Sequence, residues 1–170
     1  GTIYKIDPDN NALVDSLRFG INPNGFAINN NNIVVSNSGG STVSILDLDL
    51  NLLTDTIQVG GAPNDVLYAY NRYIISKMPA NTENSLAIIN ETGYEVSKLF
   101  YPGVPVSSIY NVNGIFTSTL NSKNVYMIES ESFTTIDSFS VPTIFSFINE
   151  LEFKTQNSFY AVAGGREVWL

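Results

Sequence analysis

Two residue types that carry much of neutral-pH chemistry are missing from this 170-residue chain, which has no His and no Cys. The first absence removes the commonest general base and metal ligand; the second removes thiolate nucleophiles, disulfides and sulfur-ligated metals, and leaves the redox compartment open. Any reaction would have to run on carboxylates, Tyr, Lys or Ser. Two stretches place oxygen ligands at alternating positions, Asp7-Pro8-Asp9-Asn10 and Asp47-Leu48-Asp49-Leu50-Asn51, as calcium loops do. Both lack the glycine and the terminal bidentate Glu of an EF-hand loop. They read better as solvated turns, and no metal or other cofactor is assigned. No Ser-His-Asp set, HExxH motif or phosphate-cradling loop is present.

Asn is the other abundant polar group, with a run from Asn29 to Asn32. Carboxamides both donate and accept hydrogen bonds, which suits a sugar-binding surface, but Asn also tolerates the positive φ of tight turns, and the turn reading is preferred. Asn90-Glu91-Thr92 is an N-glycosylation sequon. The chain carries 8 basic and 16 acidic residues, a net charge of −8, which argues against a surface that collects nucleic acid or anionic lipid. No apolar run approaches the roughly 20 residues that span a bilayer, so membrane insertion is not expected.

These residues are carried by a unit that recurs about every 40 residues. Thr2–Asp7, Thr42–Asp47, Ser85–Asn90 and Asn124–Glu129 align with one another, and a fifth copy begins at Glu167; their first residues are 39 to 43 positions apart. That period belongs to blade-type and solenoid architectures. Within the unit from Gly60 to Gly103, a loop at 60–65 leads to a short strand at 66–70. An Asn71-Arg72 turn then introduces the β-branched run Tyr73-Ile74-Ile75-Ser76. A third strand follows at 86–89 and a half-exposed outer strand at 94–101. Four short antiparallel strands cannot close a core alone, and radial stacking of such sheets gives a β-propeller. Pro23, Pro63, Pro105 and Pro142 lead into the innermost strand of each blade, with repeat boundaries near 22, 62, 104 and 142.

Residues 33–63, with Ile33-Val-Val-Ser-Asn37 followed by Thr42-Val-Ser-Ile-Leu-Asp47 and Gly60-Gly-Ala-Pro63, resemble the YVTN-type repeat of surface-layer and YncE-like propellers. The rest of the chain follows in register, with departures: Lys77 stands where the repeat has Asn37, and Asn90 and Glu129 replace the strand-end Asp. The resemblance implies a propeller commonly of about seven blades. The strand count gives three complete blades between Asn22 and Phe139, two strands of a preceding blade at 2–19 and three strands of a following one at 143–170. A ring larger than the four blade equivalents present is therefore expected, completed by further blades or by another copy.

Ligands of propellers tend to bind where loops converge at the mouth of the channel. Here those loops are 20–25, 60–65, 101–108 and 140–143, together with 36–42, 76–85, 118–124 and 163–167. They hold Asn37, Asp65, Lys77, Asn121 and Arg166, the candidate binding residues. Lys77 and Arg166 would pair with an anionic ligand, or balance Glu83 and Glu167. The expected function is a non-catalytic, extracytoplasmic scaffold that binds a protein or cell-surface polymer through this face. The alternatives are a metal-dependent hydrolase of the lactonase kind and a structural repeat of a surface layer or filament.

Overall fold

The computed structural model describes residues 1–78, 86–92, 94–99, 106–111, 114–119, 124–129, 131–140, 148–155, 158–163 and 167–169, and every regular element among them is a β-strand. β1 (Thr2–Asp7) and β2 (Ala12–Arg18) form a two-stranded sheet. Three four-stranded sheets follow. The first holds β3 (Pro23–Ile28), β4 (Asn32–Asn37), β5 (Thr42–Asp47) and β6 (Leu52–Gln58). The second holds β7 (Ala62–Ala69), β8 (Arg72–Met78), β9 (Leu86–Asn90) and β10 (Val96–Leu99). The third holds β11 (Val106–Asn111), β12 (Ile115–Thr119), β13 (Asn124–Ile128) and β14 (Thr135–Ser140). A three-stranded sheet of β15 (Ile148–Thr155), β16 (Ser158–Ala163) and β17 (Glu167–Trp169) ends the series. Pairing is antiparallel and in sequence order throughout. The first strands lie side by side from sheet to sheet, β3 against β7, β7 against β11 and β11 against β15, so the sheets stack as blades.

The second strand of the first full blade shows why its sequence is apolar without alternation. Val34 faces forward, into a cluster with Val43 and Ile45 of its own blade and Val66, Tyr73, Ile75, Ala87 and Ile89 of the next. Ile33 and Val35 face backward, with Phe19, Leu46 and Leu50, against Ile3 and Leu17 of the β1–β2 hairpin. A strand buried on both faces has no polar side to show. Each fully buried aliphatic side chain contributes about 1.5–3 kcal/mol. A third cluster joins Ala69, Ile74, Leu86 and Ile88 to Ile115 and Ile128 of the third blade.

Several boundaries differ from the sequence reading; the outer strand expected at 94–101 begins at Val96, with Tyr94 at φ 51° in the turn before it. The turn between β7 and β8 is Tyr70-Asn71, at φ 53° and 57°, and Arg72 already pairs with Ala69. Two successive residues in the left-handed region make the hairpin turn whose twist matches the flanking strands. The segment 62–65, expected as loop, belongs to β7: the ladder runs from Ala62↔Met78 and Pro63↔Lys77 to Val66↔Ile75, with Asn64-Asp65 bulged opposite Ser76. A bulge absorbs the irregularity that a proline introduces. In the last sheet the innermost strand is described from Ile148; Pro142 lies outside the described residues.

Candidate functional site

The bulge recurs. Register shifts fall between Pro23 and Phe26, Pro63 and Val66, Val106 and Ser108, and Ile148 and Glu150, at the same end of all four innermost strands. In the first blade the fully buried Ser36 serves it: its Oγ accepts from Gly25 N at 2.9 Å and lies 3.1 Å from Gly25 O and 2.9 Å from Asn64 O of the next blade. Ser76 does the same in the second blade, accepting from Asp65 N at 3.1 Å. Asn24 reaches across as well, Nδ2 donating to Asn64 O at 3.2 Å. The first two full blades are thus tied at this end by a serine from the second strand and an amide from the first. Gly25 is required by this approach, since a Cβ there would sit 2.6 Å from Asn64 O and 2.8 Å from Asp65 Cα.

In the first full blade the loops at 20–25 and 36–42 pack on one another. Ser38 N and Oγ both donate to Asn22 O, at 3.0 Å each, and Gly39 N donates to Ile21 O at 3.0 Å. Asn22 and Asn24 are exposed on this surface, and Ile21 stands 65% exposed. Asn37 and Lys77 lie beneath it. Asn37 is fully buried, its Nδ2 donating to Ser44 Oγ at 2.8 Å and to Thr42 Oγ1 at 3.3 Å. Its Oδ1 lies against Gly20, the link from β2 to β3. Lys77 is 2% exposed, and its Nζ donates to Val59 O at 2.8 Å, the link from β6 to β7. Both residues lie in the last two positions of a second strand, opposite Pro23 and Pro63, and both reach back to the connection that brings the chain in from the previous blade.

Asp65 is half-buried on the bulge, with Oδ1 accepting from Val66 N at 2.9 Å. Asn121 and Arg166 lie outside the described residues. Asn90 is half-buried at the end of β9, away from these loops, and its N donates to Glu95 O. Ser36, Ser76, Asn24 and Gly25 were not singled out from the sequence. Ser36 and Ser76 occupy one repeat position, immediately before Asn37 and Lys77, and that coincidence was the available signal.

The paired-carboxylate stretches are occupied by their own turns. Asp47 Oδ1 accepts from Asp49 N and Asn51 N at 2.9 and 2.8 Å, and Oδ2 accepts from Asn51 Nδ2 at 2.8 Å. These bonds, the Asn51 side chain first, hold the Asp47 carboxyl below its usual value. Asp7 makes the same bonds to Asp9 N and Asn10 Nδ2. Glu129, one methylene longer, serves the equivalent turn through Glu131 N and Ser132 N. The Asn29–Asn32 run is a turn in which Asn29 Oδ1 accepts from Asn31 N and Asn32 N, at 2.8 and 2.7 Å. Asn29 Nδ2 also donates to Glu91 Oε1 of the next blade, and Tyr68 OH donates to Oε2. Burial, with that carboxylate, pushes the Tyr68 phenol up.

A cleft of about 640 Å³ opens between the β1–β2 hairpin and the first full blade, lined among others by Ile3, Tyr4, Phe26, Ile28, Val35 and Leu50. Phe26 is 55% exposed there, whereas Val66, at the equivalent place in the next blade, is 6% exposed.

No protein-family model matches the sequence, and no curated protein does. Solved structures do match. Hydrazine synthase from Kuenenia stuttgartiensis superposes with a TM-score of 0.79 and 12% identity over 97% of this chain and 51% of that one. The Cps50 (Swd1) β-propeller domain of Myceliophteria thermophila gives 0.78 and 12%, over 99% and 57%. The fold is a β-propeller. A catalytically inactive virginiamycin B lyase from Staphylococcus aureus, solved with quinupristin, gives 0.66 and 10%, over 86% and 54%. At these identities the likeness is one of fold, and the chain spans little more than half the length of each.

Proposed function

We propose that this chain is a non-catalytic binding scaffold of the YVTN-type, YncE-like kind, working outside the cytoplasm. It presents the loop face around Ile21, Asn22, Asn24 and Asp65 to a protein or cell-surface polymer. The observation that carries this reading is the division of labour at that face. The buried Asn37, Lys77, Ser36 and Ser76 bond to the chain's own backbone and strand hydroxyls, while amides and one large aliphatic side chain stand outward. Such a surface offers hydrogen bonds and apolar contact without a reacting group. The carboxylates that a metal-dependent hydrolase would gather are spent on turns at Asp7, Asp47 and Glu129. Among the described residues no three potential ligands converge. Further blades or another copy complete the ring. A filament built through blade edges is opposed by the outermost strands, where register shifts beside Asp15 and Asp137 twist the edge and place a charge on it.

The test is co-sedimentation with insoluble chitin, cellulose and peptidoglycan, and binding to a glycan array, of the native chain, an Asn24→Ala/Ile21→Ser variant and an Asp15→Ala perimeter control. Retention lost only in the loop-face variant supports the reading. Equal retention of all three, or turnover of a lactone substrate on adding calcium, overturns it.

A further inference from the structure

Asn24 and Asn113 are the asparagines of this chain that precede a glycine, and Asn113 lies outside the described residues. Asn24-Gly25 forms the bulge of β3, two residues set against the single Ser36 between Pro23↔Asn37 and Phe26↔Val35. Neither is paired in the ladder. Gly25 N donates to a side chain, Ser36 Oγ at 2.9 Å, and the Asn24 carboxamide donates to Asn64 O at 3.2 Å and to Asn64 Oδ1. The glycine is dictated by the next blade, since a Cβ would lie 2.6 Å from Asn64 O. The clamp between these blades therefore demands, beside an asparagine, the one residue that leaves its own amide nitrogen unhindered.

We propose that Asn24 is a self-modification site, at which the chain converts its own amide into a carboxylate. Gly25 N gives up its proton to solvent base and attacks Asn24 Cγ. The N–Cγ bond forms, the Cγ–Nδ2 bond breaks, and Nδ2 takes a proton and leaves as ammonia. The cyclic imide then adds one water and opens to Asp, or to isoaspartate with the backbone routed through Cγ. Water is consumed and ammonia released, with no oxidation or reduction.

In the folded chain Ser36 holds the nucleophile and Asn64 holds the carboxamide, so the reaction runs through local opening of this clamp. Ser36 thereby sets the rate. Water reaches the position within the stack: Asn64, at the same place with a blade on either side, is only half-buried. Asn64-Asp65 also supplies an internal reference. It forms the same bulge, with Asp65 N on Ser76 Oγ at 3.1 Å, but the Asp65 side chain hinders attack. At Asn24 the product sets a carboxylate against Asn64 O and Oδ1, acceptor facing acceptor, and isoaspartate adds a methylene to the bulge backbone. Either outcome loosens the tie between the two blades and adds negative charge to the face. The inference stands whether or not that face binds a polymer.

The native chain and a Ser36→Ala variant, each folded and in urea, are aged at mildly alkaline pH, digested with chymotrypsin and followed by mass spectrometry. The peptide 20–26 holds Asn22 and Asn24, and Asn22 precedes Pro23, which has no N–H to attack, so a gain of one mass unit there reports Asn24. The expected order is unfolded fastest, then folded Ser36→Ala, then folded native, with the variant roughly 3- to 10-fold faster than native when folded, as the loss of one hydrogen bond allows. In urea the two chains should convert equally. Asn64 should lag behind Asn24 throughout. The proposal is overturned if the folded native chain shows no gain at Asn24 while the unfolded chain converts fully, if Asn64 keeps pace with Asn24, or if a folded Ser36→Ala chain converts no faster than native. Should that variant misfold, the comparison of Asn24 with Asn64 in the native chain decides.

Discussion

Gly20→Ala should destabilise the fold by roughly 2–5 kcal/mol, from two separable sources. Gly20 holds φ at +59°, where a Cβ meets the neighbouring carbonyl and costs about 1–2 kcal/mol. A Cβ on that backbone would also lie 2.0 Å from Asn37 Oδ1 and 2.6 Å from Asn37 Cγ. Asn37 is fully buried and cannot swing into solvent. Turning aside breaks its bonds to Ser44 and Thr42 and strands a buried amide, at about 1–3 kcal/mol. Urea unfolding measures the sum as a shift in midpoint at constant slope. A double-mutant cycle separates the parts. In an Asn37→Ala background the steric conflict is gone, so Gly20→Ala should then cost only the backbone part, about 1–2 kcal/mol. An equal cost in both backgrounds would refute the contact as the reason for the glycine. A cost below about 1 kcal/mol in the native background would refute the backbone argument too.

Three further outcomes follow from the same geometry. Ser36→Ala removes the acceptor for Gly25 N and the link to Asn64 O, and should cost about 1–3 kcal/mol while speeding amide exchange at Gly25; unchanged exchange there would deny the serine its role between blades. Tyr73 OH is buried with no bonded partner among the described residues, so Tyr73→Phe should be neutral or stabilising in thermal melts, and a loss above about 1 kcal/mol would show that the hydroxyl is satisfied. Asp47 is held below its ordinary value of 3.8, so its contribution to stability is present above that pH and is lost as pH falls through the depressed folded value. Carboxyl NMR titration should show Asp47 rising toward 3.8 in Asn51→Ala, and no movement would break the assignment of the shift to that side chain.

The fold was legible because its signals are periodic. Strand-forming runs such as Ile33-Val-Val and Tyr73-Ile-Ile repeat with the turns between them, and radial stacking is the physical way to bury both faces of each. Glu129 was flagged as a departure from the strand-end Asp, and the structure shows why it is tolerated: either carboxylate can accept two amide protons of the following turn. The bulges were not legible. Asn64-Asp65 carries turn residues, and only pairing with Ser76 across the sheet shows that they lie inside a strand. Asn29 to Glu91 is a contact between blades 62 residues apart, and the local pattern of either turn carries no trace of it.

Lys77 bears on how sites should be sought in such repeats. A buried cation replacing an amide looks like a functional substitution, yet both side chains reach the preceding interblade link, Asn37 by abutting Gly20 and Lys77 by bonding Val59 O. Departure from the repeat at a buried position can therefore mark a second solution to one structural task. The exposed or half-exposed positions of the bulge differ in kind. In the first blade the bulge must be Gly25, because the next blade's backbone lies 2.6 Å from any Cβ, while in the second the same place carries Asp65 and a carboxylate. Backbone bonding is met by Ser36 in one case and Ser76 in the other, so the side chain at this position can vary without loss of the clamp. If the loop face binds as proposed, substitution at Asp65 should change what it retains before it changes how the blades fold, whereas Asn24 also bonds Asn64 O of the next blade.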